Sequence, residues 1–183
     1  MAATVIMVIR HAEKPNGDVD GVEIDGSADP DSLSVLGWQR AGALAVLFDP
    51  SRGNLQTSAL AVPQFLFASR FGATRHSKRP FETIQPLAAK LALTIDTTFK
   101  RDQTRELVHA ARACNGAVLV SWQHQEMSSI GNAIVGNDTT VPQSWPSDRF
   151  DVVWVFTARA SGGYAFTQVP QRLLAGDRAT SIS

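Results

Sequence analysis

The sequence predicts an α/β fold of three layers, a three-layer α/β/α sandwich with a mostly parallel sheet and an antiparallel edge hairpin. Two short, nearly continuous apolar runs, residues 4–9 and 117–121, are typical of strands that are buried on both faces, as in parallel sheets. Segments with a helical spacing of apolar residues lie between the runs that resemble strands. Near the end of the chain, Ser161-Gly162-Gly163 separates two apolar runs, which predicts a hairpin.

The first half of the chain alternates between strands and helices. The first strand, Thr4–Ile9, ends at Arg10-His11, where the chain leaves the sheet. An acidic loop, Asp18–Asp31, follows; its glycine spacing does not fit a calcium loop, and it is expected to be solvated, with a possible role as a lid beside a site. The segments expected next are a helix that opens at Ser32-Leu33-Ser34 and ends at Asp49-Pro50, a strand at Phe65–Ala68, and a helix at Phe81–Leu91.

The second half continues the pattern. We expect a third strand at Leu93–Phe99, a helix at Thr104–Ala113, the second core strand at Ala117–Ser121 and a helix from Glu126 to Val135. The hairpin strands are expected within Asp151–Phe156 and Tyr164–Thr167. A single core over residues 1–183 accounts for the length and for the 44% hydrophobic content.

Composition excludes several classes of protein. The formal net charge is zero, which gives no indication of binding to nucleic acid or to an anionic membrane. The one cysteine, Cys114, excludes an internal disulfide and fits a reducing compartment. The apolar run near the N-terminus is too short for a signal peptide or a membrane span. We therefore expect a cytoplasmic protein.

The candidate functional residues follow predicted strands. They are Arg10-His11, Arg79 at the end of a basic segment, and His124. Because the carboxyl ends of parallel strands open on one rim, these residues are expected to meet there. Two arginines and two histidines suit an anion, and none of the four histidines has the short spacing of metal ligands, so no metal is expected.

At these residues the sequence resembles the histidine phosphatase superfamily, also called phosphoglycerate mutase-like. The stretch "VIRHAEKP" is similar to its opening signature, and "LSVLGWQRAGALAVLF" to the segment in which a glycine enters a long helix. "SKRPFETIQPLA" resembles the second-arginine segment and "VLVSWQHQE" the second-histidine segment. The four segments occur in the family's order over about residues 4–135.

The resemblance implies roles for individual residues. His11 would be the nucleophile that takes the phosphoryl group, Arg10 and Arg79 would hold its oxygens, and His124 would be the second histidine, cationic beside phosphate. Lys14 is a candidate for a further phosphate contact. No cofactor is implied, because the side chains supply the cations.

The sequence does not determine which residue is the general acid that protonates the leaving oxygen. The family usually supplies a carboxylate after the third strand or beside the second histidine. Gln125 stands beside His124, so the second arrangement is absent. Asp102 and Glu106 lie in the first region and are the two candidates for the proton donor.

The function predicted on this basis is a metal-independent phosphatase that hydrolyses a phosphate monoester through a phosphohistidine on His11. Its partner would be a small phosphorylated substrate or a phosphoprotein. The alternative is a binding protein instead of an enzyme. It would be a non-catalytic module that binds a phosphorylated ligand through the arginines but has no working general acid. A phosphomutase is disfavoured, because that activity needs a closing lid, for which only the acidic loop is available.

Overall fold

The computed structural model describes residues 3–17, 19–72 and 77–183. They form a six-stranded sheet in the order β3-β2-β4-β1-β5-β6, in which the first four strands are parallel and the last two form an antiparallel hairpin at one edge. The strands are β1 (Val5–Arg10), β2 (Phe65–Ala68), β3 (Ile95–Asp96), β4 (Ala117–Trp122), β5 (Val152–Ala158) and β6 (Tyr164–Pro170).

Helices connect the parallel strands. The helix after β1 begins behind Ser34, whose hydroxyl accepts a hydrogen bond from the Gly37 amide at 3.2 Å. Gly37 itself is required by packing, since an added Cβ would lie 2.4 Å from the Glu13 carbonyl oxygen. The helices are α1 (Val35–Phe48), α2 (Arg79–Leu91), α3 (Thr104–Ala113) and α4 (Met127–Val135), with a 3-10 turn at His124–Glu126.

The helices cover both faces of the sheet, which confirms the predicted three layers. Side chains alternate along β1: Ile6 and Val8 belong to the core beneath α3 and α4, whereas Met7 and Ile9 pack in the core beneath α1 and α2. All four of these side chains are fully buried. Strand β1 is thus covered on both sides, as its continuous apolar run indicates.

The element boundaries differ from the predicted ones at two places near the site. Strand β3 has only Ile95 and Asp96, because the carbonyls of Thr97 and Thr98 accept hydrogen bonds from the Arg70 guanidinium instead of extending the ladder. Helix α2 begins at Arg79, two residues before the predicted start, with Pro80 in its first turn. Within the described ranges, the helices are too short or too polar to cross a bilayer.

Candidate active site

The pairing of β1 with β4 brings the two predicted histidine segments together. Arg10 lies opposite Trp122 in the parallel register, and the His11 amide continues the ladder by donating to the Trp122 carbonyl at 2.9 Å. Gln123 and His124 follow directly, so both histidine segments leave the sheet at the same edge. A cavity of about 290 Å³ opens there, lined by Arg10, His11, Lys14, Asp31, Arg70, Ser77, Arg79, Arg101, Gln123, His124 and Gln125.

Arg10 is almost fully buried, with 1% of its surface exposed. Its Nη1 donates to the carbonyls of Pro146, Ser147 and Arg149 at 3.3, 2.7 and 3.0 Å, and its guanidinium stacks on the Phe150 ring at 3.7 Å. Its Nε and Nη2 are buried and have no partner among the described residues. These two nitrogens form one edge of the guanidinium, the edge that binds two oxygens of an anion at once.

Arg10 stays positively charged although it is buried. Burial lowers the pKa of Arg10 to about 10, and the charges of Glu13 and Asp148 partly counter the effect. The guanidinium therefore remains cationic at neutral pH. Two unpaired donors on a buried cation carry a desolvation cost that a bound anion would remove.

His11 is held as a neutral imidazole with a defined tautomer. Its Nδ1 lies 2.7 Å from the Ala12 carbonyl oxygen, which is only an acceptor, so Nδ1 carries the proton and Nε2 has the free lone pair. Burial lowers the pKa of His11 to about 3, and the charges of Arg10 and Arg79 add to the shift. The turn is fixed from α2, because the Ala12 amide donates to the Thr83 hydroxyl at 2.8 Å.

His124, the second histidine, is also neutral in the field of the chain. Burial is the main cause that lowers its pKa to about 4, and the charges of Arg10, Lys14 and Arg101 lower it further. The sequence-based expectation of a cationic His124 therefore needs the negative charge of a phosphoryl group beside the ring to raise the pKa. Its Nδ1 is buried without a partner in the described part of the chain.

Arg79 reaches the cavity from the first residue of α2. Its Nε donates to the Ser32 carbonyl at 3.1 Å and its Nη2 to the Pro30 carbonyl at 2.7 Å. Burial lowers the pKa of Arg79, and the charge of Asp31 is the largest that opposes this. Arg79 thus uses its Nε–Nη2 edge on the loop before α1, and Nη1 is the nitrogen that makes no hydrogen bond within the described residues.

The acidic loop is anchored to the same end of α2. Lys78 forms ion pairs with Glu23 and with Asp29, the latter at 2.6 Å. These contacts hold the second half of the loop against the cavity. Asp18, the first residue of the predicted lid, lies outside the described residues, and so does His76 of the basic segment.

The two sequence candidates for the general acid are not at the cavity. Asp102 and Glu106 are exposed, and neither lines it. Glu13 is also engaged elsewhere, since both its oxygens accept hydrogen bonds from Arg40. Among the described residues, Asp31 is the carboxylate that lines the cavity, whereas the sequence predicts it as one of the solvated loop residues.

Two further polar residues, Gln123 and Lys14, line the cavity. Gln123 donates from Nε2 to the Ser69 hydroxyl at 2.8 Å, and its buried Oε1 has no partner among the described residues. Lys14 is exposed and lines the cavity, and its contact with phosphate stays a prediction. In the described ranges, no group of three or more His, Cys, Asp or Glu side chains is arranged to hold a metal ion.

Comparison with known proteins identifies the fold. No family model matches the sequence, and no curated protein matches it. Among solved structures, SixA from Agrobacterium tumefaciens, assigned as a phosphohistidine phosphatase, is 16% identical with a TM-score of 0.51, over 90% of this chain and 97% of that one. A mycobacterial glucosyl-3-phosphoglycerate phosphatase with VO3 is 14% identical with a TM-score of 0.52, over the same shares of the two chains.

A third similar structure is the phosphoglycerate mutase from Plasmodium falciparum, 9% identical with a TM-score of 0.53, over 100% of this chain and 99% of that one. The fold is therefore that of the histidine phosphatase superfamily, as the resemblance implies. At identities this low, the structural similarity establishes the fold alone, because function depends on the residues of the site.

Proposed function

We propose that this chain is a phosphatase that hydrolyses phosphate monoesters through a phosphohistidine on His11. One observation carries the proposal. A buried, neutral imidazole with its Nε2 lone pair free lies in the same cavity as Arg10, a buried guanidinium with two unpaired donors. The first group is a nucleophile at pH 7, and the second is a receptor for a tetrahedral anion.

The proposed reaction has two displacements at phosphorus. In the first, His11 Nε2 attacks the phosphoryl group and the bond from phosphorus to the ester oxygen breaks. In the second, water attacks the phosphohistidine, and inorganic phosphate leaves. Both transition states carry charge on the equatorial oxygens, and the cationic Arg10 and Arg79 are the side chains that would stabilise it.

The lining of the cavity suits an anion without help from a cofactor. Arg10, Lys14, Arg70, Arg79 and Arg101 are cations around it, and Asp31 is the one acidic residue of the described lining. The net positive charge of this lining is larger than the negative charge of a phosphate dianion, and it favours phosphorylated ligands over neutral ones. The substrate would be a small phosphorylated molecule or a phosphoprotein, and activity is expected to persist in a metal chelator.

A binding module without turnover is the second candidate. It is favoured by the position of Asp102 and Glu106, the two carboxylates expected to protonate the leaving oxygen, because both are exposed and neither lines the cavity. Such a module would bind phosphate through Arg10 but would not release alcohol from an ester. A phosphomutase has less support, because that activity needs a closing lid and the acidic loop is paired with Lys78 at the start of α2.

Hydrolysis of p-nitrophenyl phosphate by the purified chain separates the candidates. The phosphatase proposal expects turnover in the presence of a chelator, a covalent phosphoryl adduct that is labile in acid, and loss of both in His11→Ala. The matched variant is His109→Ala, an exposed histidine outside the cavity, which should retain both. Phosphate binding without turnover would favour the binding module, and turnover that survives His11→Ala would contradict the mechanism.

A further inference from the structure

One acidic residue from the described chain, Asp31, lines the cavity that contains His11, Arg10 and Arg79. It follows Asp29-Pro30 in the loop before α1. The reaction proposed above needs a proton at the leaving oxygen, because an alkoxide is a poor leaving group at neutral pH. Asp31 and the other carboxylates near this end of the sheet are the candidate donors of that proton.

The main chain around Asp31 is held at fixed positions. The Asp31 amide donates to the Asp29 carboxylate at 2.9 Å, and the Asp31 carbonyl accepts from the Lys78 amide at 3.1 Å. The carbonyls on either side, of Pro30 and Ser32, accept the two hydrogen bonds of the Arg79 guanidinium. The side chain expected to hold the phosphoryl group therefore also positions Asp31 beside that group.

The Asp31 carboxylate is available for chemistry. It accepts no hydrogen bond from another side chain or amide of the described residues, and it is half-buried at the cavity, open to exchange protons with solvent. It lines the same cavity as Arg79, and its charge is the largest that opposes the lowering of the Arg79 pKa by burial.

Other groups near the cavity are committed elsewhere. Glu13 accepts three hydrogen bonds from Arg40, and Glu126 pairs with Arg101 at 3.2 Å. By its position and its lack of a partner, Asp31 is the group best placed to carry the proton.

We propose that Asp31 is the general acid and base of the reaction, a role that rests on the proposed function. In the first displacement, the bond from His11 Nε2 to phosphorus forms, the ester P–O bond breaks, and the Asp31 carboxyl gives its proton to the leaving oxygen. In the second, the Asp31 carboxylate takes a proton from the attacking water, the P–N bond breaks, and phosphate leaves. One water is consumed, its atoms are divided between alcohol and phosphate, and Asp31 ends protonated as it began.

The test compares two substrates that differ in their need for a proton. The nitrophenolate of p-nitrophenyl phosphate leaves without protonation, whereas the alkoxide of propyl phosphate does not. In Asp31→Asn, kcat/KM for propyl phosphate should fall by about 10²–10⁴-fold, and that for p-nitrophenyl phosphate by less than about 10-fold. Retained turnover of the aryl ester shows that the variant is folded, and Asp31→Glu should recover part of the loss.

Three variants serve as controls. Asp20→Asn removes an exposed carboxylate from the same loop, while Asp102→Asn and Glu106→Gln remove the two sequence candidates. All three should keep the wild-type ratio of the two substrates. The proposal is overturned if Asp31→Asn affects both substrates equally or neither, if the selective loss occurs in Asp102→Asn or Glu106→Gln, or if the wild type cleaves only the aryl ester.

The proposed function has a separate readout. It stands if the wild type hydrolyses p-nitrophenyl phosphate and His11→Ala does not, whatever the result for Asp31. Failure of that comparison removes the phosphohistidine mechanism and the role of Asp31 with it. Failure of the substrate comparison alone removes only the role of Asp31.

Discussion

Replacement of Arg10 by lysine tests whether the buried guanidinium is a receptor for phosphate as well as a structural contact. Lysine keeps the positive charge but has one nitrogen in place of three. It cannot both donate to the carbonyls of Pro146, Ser147 and Arg149 and present two parallel donors to an anion. We therefore expect losses of both stability and phosphoryl transfer, of different sizes.

The size of each loss follows from the contacts. The Arg149 carbonyl keeps its hydrogen bond from Trp145, whereas the carbonyls of Pro146 and Ser147 lose their donor. Unsatisfied buried groups cost about 1–3 kcal/mol each and both bonds are partly buried, so a total of about 2–4 kcal/mol in the free energy of unfolding is expected. Loss of the bidentate edge should lower kcat/KM for p-nitrophenyl phosphate by about 10²–10³-fold, the effect of removing a preorganised donor. Urea unfolding measures the first quantity and initial rates the second.

A destabilised control separates the two effects. Leu107→Ala removes a fully buried side chain from α3, away from the cavity, and should cost about 2–5 kcal/mol. At a temperature where both variants are folded, Leu107→Ala should keep the wild-type rate while Arg10→Lys does not. Equal activity in Arg10→Lys and wild type would refute the assignment, because it would show that the unpaired Nε and Nη2 contribute nothing to turnover.

Three further outcomes are expected. The pKa of His11 is about 3 in the folded chain against 6.5 in the unfolded one, so the unfolded state binds its proton first as the pH falls. The contribution of His11 to stability is complete above pH 6.5 and falls by roughly 1.4 kcal/mol per pH unit below it, and His11→Asn should remove this part of the slope in urea unfolding at pH 4.5–7. Arg40→Met leaves the carboxylates of Glu13 and Asp177 without their shared partner and should cost about 3–5 kcal/mol, measured by the same method. Lys14→Gln should raise KM for p-nitrophenyl phosphate by about 3-fold with kcat unchanged, and the difference should shrink at high salt; no change in KM at low salt would remove Lys14 from the site.

The core strands and the histidines at their ends could be predicted because the signal is local. Val5–Arg10 and Ala117–Trp122 are apolar almost throughout and are followed at once by polar residues. Parallel pairing then requires that the two ends meet, as the register of Arg10 with Trp122 shows. Burial on both faces determines such strands, and no knowledge of distant contacts is needed.

The carboxylate at the cavity could not be predicted in the same way. Asp31 belongs to a loop that also contains Asp20, Glu23, Asp25 and Asp29, and nothing in the local sequence distinguishes it. Its position depends on hydrogen bonds from the start of α2, almost fifty residues later in the chain. The contacts of Arg10 are more distant still, because its carbonyl partners lie 136 to 139 residues away.

The partners of the buried arginines distinguish the site from the scaffold. Arg40, which does not line the cavity, is paired with carboxylates, and so is Arg149. Arg10 and Arg79, the two inner arginines of the cavity, are held by main-chain carbonyls instead.

A carbonyl orients a guanidinium without cancelling its charge, whereas a carboxylate would neutralise it and compete with phosphate for the same donors. Burial lowers the pKa of the nearby His11, and the charges of Arg10 and Arg79 lower it further, so the imidazole is neutral. The same arrangement would therefore meet both requirements of the proposed phosphoryl transfer, a charged receptor for the oxygens and an uncharged nitrogen that attacks phosphorus.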